Sequence, residues 1–286
     1  MPATITAFFH KPTSTFSYVV ADAAKQRAAI IDPVLDYDAA AGRTGTASSD
    51  AIIAHLRESK LALDWILETH AHADHVSAAQ HIKKTLGGRT AIGEGIRQVQ
   101  TTFAKLFNIS SQVPSDGSQF DHLFKDGAIF RIGSLEARVM ATPGHTSDSL
   151  TYVIGDAAFV GDTLFMPDSG TARCDFPGGD AGQLYDSIQK IFALPGSTHL
   201  YICHDYAPGG REYLHQTTVA EQKRANIHLH DGVSRDEYIK LRTTRDHTLN
   251  VPALLLPAVQ INIRAGRLPE PEANGTAYLK IPVNRF

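Results

Sequence analysis

The chain is poor in several things that would point to specialised classes of protein. It has only 2 cysteines among its 286 residues, Cys174 and Cys203, which rules out a disulfide framework and suits a reducing compartment. No apolar run approaches the ~20 residues of a membrane helix. The start, Met1-Pro2-Ala3-Thr4, lacks the charged segment and apolar core of a secretory leader, so a cytoplasmic protein without a membrane partner is expected. There is no basic block, and the net charge is −3, so nucleic acid is not an expected partner. Residue-level repeats are absent too, which excludes solenoids and arrays. The 43% hydrophobic and 20% charged content is that of an ordinary globular chain with a substantial core.

Histidine is what the chain has in quantity, with 14 in all. Four residues of metal-ligating type, three His and one Asp, fall together in Thr69-His70-Ala71-His72-Ala73-Asp74-His75. Neutral imidazoles and an ionised carboxylate are costly to bury without partners, and a metal ion satisfies both. The apolar run Leu61–Leu67 before this stretch reads as a buried strand, and Val76–Lys84 after it as a helix. The cluster thus sits on a strand-to-helix connection, where loops carry chemistry.

The flanking pattern alternates strand and helix. Ile5–Phe9 and Thr15–Val20 suggest a hairpin, Ala28–Pro33 a further strand, and Ala51–Arg57 a helix capped by Ser49 or Asp50. Tyr37 to Ser49 has no hydrophobic period and reads as an exposed loop. Thr90–Ile92 reads as a strand and Gly95 to Phe107 as a helix. A second set of strands covers Ala128–Ile132, Leu135–Met140, Leu150–Ile154, Ala157–Val160 and Leu200–Cys203, with a helix from Ala181 to Leu194 and at least two between Thr217 and Leu249. Two half-sheets, each with its own helices, predict two sheets packed face to face with helices outside, an αββα four-layer α/β sandwich. Residues 1–216 would form the catalytic domain. Residues 217–286 would be a helical and Pro-rich extension packed on it.

Loops after strands of the second half supply further ligand types: His145 in Thr142-Pro143-Gly144-His145, Asp162 in Gly161-Asp162-Thr163, and His204 in His204-Asp205-Tyr206. A single His of this kind is usually a hydrogen-bonded structural residue. Joined to the His-x-His-x-Asp-His stretch, the set predicts a metal centre.

Those seven residues resemble the signature of the metallo-β-lactamase superfamily, over roughly residues 5–215. The resemblance implies the αββα fold with metal at one edge. Within the superfamily, Arg173-Cys174-Asp175-Phe176, the glycine-rich turn after it and His204-Asp205-Tyr206 look like the persulfide dioxygenases. Gly170-Thr171-Ala172-Arg173 departs from that family's Gly-Cys-Gly-Arg, which leaves the thiol carrier open. The likeness implies one ferrous iron per chain on His70, His145 and Asp162, with His72, Asp74, His75 and His204 standing behind it or holding a second metal. It implies oxidation of a glutathione-based or related small persulfide by O₂ to sulfite and thiol, a place in sulfide detoxification and a homo-oligomer, dimeric or higher. The same seven residues also permit a dinuclear zinc thioester hydrolase of the glyoxalase II type, with His70, His72 and His145 on one zinc, Asp74, His75 and His204 on the other and Asp162 between.

Arg173 is a candidate for holding a substrate carboxylate through its planar fork, or for a structural pair with Asp175. Tyr206 is a candidate for hydrogen bonding to substrate or to the groups behind the metal, or for a buried structural role. Cys174 and Cys203 read as ordinary buried thiols, since no neighbouring cation activates them.

Overall fold

A computed structural model describes residues 3–285. From the N-terminus run β1 (Thr4–His10), β2 (Thr15–Asp22), β3 (Arg27–Ile31), β4 (Val34–Asp38), β5 (Arg43–Gly45), α1 (Ala47–Glu58), β6 (Ala62–Leu67), β7 (Val76–Ser77), α2 (Ala79–Leu86), β8 (Arg89–Gly93), α3 (Ile96–Leu106) and β9 (His122–Phe124). The second half follows with β10 (Ile129–Ile132), β11 (Leu135–Ala141), β12 (Leu150–Ile154), β13 (Ala157–Phe159), α4 (Ala181–Phe192), β14 (His199–Tyr201), β15 (Gln216–Thr218), α5 (Val219–Ala225), α6 (Arg235–Asp246) and α7 (Leu255–Asn262).

The first sheet has the order β1-β2-β3-β6-β8-β9, and the second β10-β11-β12-β13-β14-β15. Alternation along the strands builds the layers, because successive side chains leave opposite faces. Tyr18, Val20, Ile31, Trp65 and Leu67 meet Ile132, Val139, Tyr152 and Phe159 in one core between the sheets. The residues between them, Val19, Ile30 and Ile66, face outward onto Ile52, Ile53 and Leu56 of α1 and Ile82 of α2. On the far side Ala158, Val160 and Leu200 pack against Leu184 and Ile188 of α4 and Tyr238 of α6. The result is the expected αββα sandwich. The Trp65 Nε1–H donates to the Arg131 carbonyl at 2.9 Å and ties the two sheets where the indole is buried.

Two readings of the sequence need correction. Residues 37–49 are largely exposed, as expected, but are not a loop. They contain the end of β4, all of β5 and the start of α1, and β4 also pairs with β7. Strands of three to five residues are too short to show a period, and the β7 partner lies far away in sequence. Val76–Ser77 is strand, so the helix after the His cluster begins only at Ala79. Helix is present in the tail as expected: α7 forms there because Pro257 lies in its first turn, where backbone N–H groups have no helical partner.

β3, β6 and β8 run parallel, as do β13 and β14. The connections leaving β6, β11, β13 and β14 carry His70–His75, His145, Asp162 and His204 respectively. All four come together at one edge of the sandwich.

Candidate metal centre

The scaffold beneath the cluster starts at Asp32, just beyond β3, in a left-handed conformation with φ 49°. Its carboxylate accepts the Thr69 backbone N–H at 2.7 Å and the Thr69 hydroxyl at 2.9 Å. With its proton given to Asp32, the Thr69 oxygen is left to accept from His70 Nδ1 at 3.1 Å, so the His70 Nε2 lone pair is free to face the site. His145 is held in the same sense, its Nδ1–H donating to the Arg173 carbonyl at 2.7 Å. Gly161, at φ 53°, allows the Asp162 loop to pass close by. A Cβ there would lie 2.7 Å from the Thr69 hydroxyl.

Asp162 Oδ2 is 3.8 Å from His70 Nε2 and 3.7 Å from His145 Nε2, while its Oδ1 is 3.3 Å from His204 Nε2. His204 Nε2 also lies 3.0 Å from Asp74 Oδ2, and His75 Nδ1 3.5 Å from Asp74 Oδ1. His72 Nε2 lies 3.0 Å from Asp32 Oδ1. The donor atoms fall into groups lying within 4.8 Å of one another: His70, His145 and Asp162; His72, Asp74, His75 and His204; and His72, Asp162, Cys203 and His204.

The chemistry of these groups fits a cation. His70 Nε2, both ring nitrogens of His72, His75 Nε2, His204 Nε2 and Asp162 Oδ1 are buried and accept or donate no hydrogen bond. Buried polar atoms are otherwise paired almost without exception. The approaches of His72 to Asp32 and of His204 to Asp74 therefore lack hydrogen-bond alignment and leave these atoms available. Burial drives His70 and His72 well below the ordinary imidazole range, keeping them neutral as metal ligation requires. Asp162 is raised by burial and by the nearby Asp74 charge. Burial works to raise Asp74 as well, yet His204 and His75 hold it well below the usual carboxylate range.

Above the cluster opens a cleft of about 1070 Å³, walled by the β4–β5 hairpin, the 165–176 loop and residues 245–254. Tyr206 lines it, 56% exposed, with its ring nearly parallel to that of His204 at 6.1 Å. Arg173 also lines it, but its fork is closed. Nε and Nη2 donate to Asp175 at 2.6 and 2.7 Å, and Nη1 donates to the Asn250 carbonyl at 2.6 Å. Arg173 therefore braces the wall, and the structural pair with Asp175 that the sequence offered beside a substrate role is formed. Cys174 lies beneath the same wall, with its Sγ 3.3 Å from Asp246. Sequence reasoning missed Asp32 and Asn262. An isolated Asp closing an apolar strand before a proline was the available signal for the first. The second had none.

The fold and this cluster define a metal-dependent enzyme of the αββα type, and the comparisons name the family. The model described as "Metallo-beta-lactamase superfamily" matches residues 10–204, and the chain belongs to that superfamily. It is 52% identical over 98% of its length to the "Probable metallo-hydrolase" of Burkholderia pseudomallei, covering 99% of that protein. It is 31% identical to the mitochondrial persulfide dioxygenase ETHE1 of Homo sapiens, over 93% of this chain and 89% of that one. The crystal structure of ETHE1 from Myxococcus xanthus superposes with a TM-score of 0.74 at 31% identity, over 92% of this chain and 100% of that one. Some relatives are longer, and the chain spans 64% of their length. No helix among the described residues is long and apolar enough to cross a membrane.

Proposed function

We propose that the protein is a persulfide dioxygenase acting on glutathione persulfide or a related small persulfide, with one ferrous iron per chain held by His70, His145 and Asp162. The observation that carries this reading is that triad itself. Two imidazoles with free Nε2 atoms meet one carboxylate oxygen at 3.7–3.8 Å. Ferrous iron held by these three residues would supply the activation of O₂ beside a substrate sulfur. The likeness to proteins named persulfide dioxygenase supports the same choice.

The chain's own contribution is orientation and exclusion of water. Asp32 and Thr69 fix the His70 tautomer, and the Arg173 carbonyl fixes that of His145. Phe165, Phe176 and Leu254 supply apolar wall to the cleft. The overall change balances as RSSH + O₂ + H₂O giving RSH and sulfurous acid. The outer sulfur is oxidised and O₂ is reduced. Residues 1–216 would form the catalytic domain and 217–286 its packed extension. Cytoplasmic residence agrees with two free, buried cysteines.

A dinuclear zinc thioester hydrolase is the second reading. The convergence of His72, Asp74, His75 and His204 favours it, as does a relative named as a metallo-hydrolase. Metal analysis of freshly purified protein, with O₂ uptake on glutathione persulfide, separates the two. About one iron per chain with sulfite formation supports the dioxygenase. Two zincs, no oxygen consumption and hydrolysis of S-lactoylglutathione overturn it.

A further inference from the structure

We propose that Cys203 is a sulfur ligand for a second, thiophilic metal ion, held together with His72, Asp162 and His204. The inference rests on the site being a metal centre, not on the choice of iron or of persulfide. The Cys203 Sγ, one carboxylate oxygen of Asp162 and one ring nitrogen each of His72 and His204 lie within 4.8 Å of one another. Ligand atoms sharing a tetrahedral ion stand roughly 3.3–3.8 Å apart, so the set needs only about an ångström of closure.

Three of the four side chains carry the second observation a lone thiol would lack. His72, His204 and Asp162 are buried and present atoms with no hydrogen bond. The thiol itself is 2% exposed, and the backbone on both sides of it is pinned. The Cys203 carbonyl accepts from Phe16 N–H at 2.7 Å, Ile202 N–H reaches the His215 carbonyl at 3.1 Å, and Asp205 N–H reaches the Ser14 carbonyl at 3.1 Å.

His72 and His204 belong equally to the group that contains Asp74 and His75. The pocket therefore takes one second ion at a time, at either of two neighbouring positions. A harder divalent ion is drawn to the carboxylate and imidazole of Asp74 and His75. A softer one is drawn to sulfur. On binding, the thiol proton passes to solvent and the sulfur lone pair forms the new bond, with no change of oxidation state.

Cadmium, a soft ion, added to metal-free protein tests this. The first equivalent should bind without a sulfur signature. The second should bring a sulfur-to-metal charge-transfer band, and the cadmium edge should show one sulfur scatterer per chain in the unmodified protein. Cys203→Ser should lose the band, keep the first equivalent and bind the second at least roughly tenfold more weakly. Cys174→Ser should retain the band. Two ions bound without sulfur scattering, failure of a second equivalent to bind, or a band surviving in Cys203→Ser would each overturn the assignment. Failure of even the first equivalent to bind would instead remove the metal-centre reading beneath it.

Discussion

The side-chain amide of Asn262, at the end of α7, donates to the backbone carbonyl of His75 at 2.8 Å across 187 residues of sequence. Its second N–H donates to the His72 carbonyl, also at 2.8 Å, and its Oδ1 accepts the Ser77 N–H at 2.9 Å. One buried side chain from the tail thus fixes the backbone of the metal loop. Gly266, at φ 81°, lets the chain pass so close that a Cβ would stand 2.9 Å from the Ser77 carbonyl.

Asn262→Ala should therefore destabilise the protein and loosen its metal. Three loop groups lose partners in a buried place, for a total of about 3 kcal/mol. Asn262→Asp should be worse than Ala, because a carboxylate has no donor to offer two carbonyls. Urea unfolding and the metal content of dialysed protein give the answer. An unchanged midpoint with full metal retention in both variants would show that the clamp is dispensable.

Gly144→Ala should displace His145 with little loss of secondary structure. Gly144 has φ 140°, and a Cβ there would stand 2.3 Å from the backbone of Leu184 in α4. A helix backbone cannot yield as a flexible side chain can, so the 142–146 loop must move and carry the imidazole away from Asp162. Gly155→Ala is the comparison. Its φ of 63° carries a conformational cost of about 1–2 kcal/mol, but nothing lies within 4 Å. Metal occupancy should fall in the first variant alone, with circular dichroism unchanged in both.

What could be read from the sequence was whatever a residue announces by its own type and neighbours. His70, His72, Asp74 and His75 are such a case, because no packing demand produces that spacing. His145, Asp162 and His204 became legible once each was seen to follow an apolar strand. Asn262 was illegible because its three bonds reach residues some 185–190 positions away and leave no local pattern. Arg173 was ambiguous for a related reason. Asp175 beside it was visible, but the Asn250 carbonyl that takes its Nη1 comes from beyond α6. The β4–β5 hairpin escaped because its strands are short and partly paired to β7.

Acidification should weaken the fold through His228. Its buried Nδ1 accepts the Thr171 N–H at 2.9 Å, so the ring must be unprotonated there. Burial, reinforced by the Arg242 charge, pushes its pKa down to about 4. The unfolded chain, with an ordinary value near 6.5, then binds the proton more readily. This contribution is complete above pH 6.5 and is lost as pH falls toward 4, with about 3 kcal/mol as its upper limit. His228→Asn offers an amide oxygen close to the position of Nδ1 and does not titrate. It should flatten the fall in urea midpoint between pH 6.5 and 4, and an equally steep fall in the variant would assign the loss to other groups.

Asp246 and Arg242 of α6 form a buried pair that holds the cleft wall from behind. Arg242 donates from Nε to Asp246 at 2.9 Å and from Nη1 to the Thr171 carbonyl at 2.8 Å, while Asp246 accepts the Cys174 N–H at 2.9 Å. Removing one charge leaves the other buried without compensation, so Asp246→Asn should cost about 3–5 kcal/mol. Asp246→Asn combined with Arg242→Met should recover part of that loss, which a double-mutant cycle measures directly. Residues 171–173 line the cleft and donate no side chain to the metal group, so folded Asp246→Asn protein should show a raised KM with kcat less affected. A fall in kcat with KM unchanged would mean that α6 acts on the reacting centre itself, most directly through the Arg173 carbonyl that orients His145.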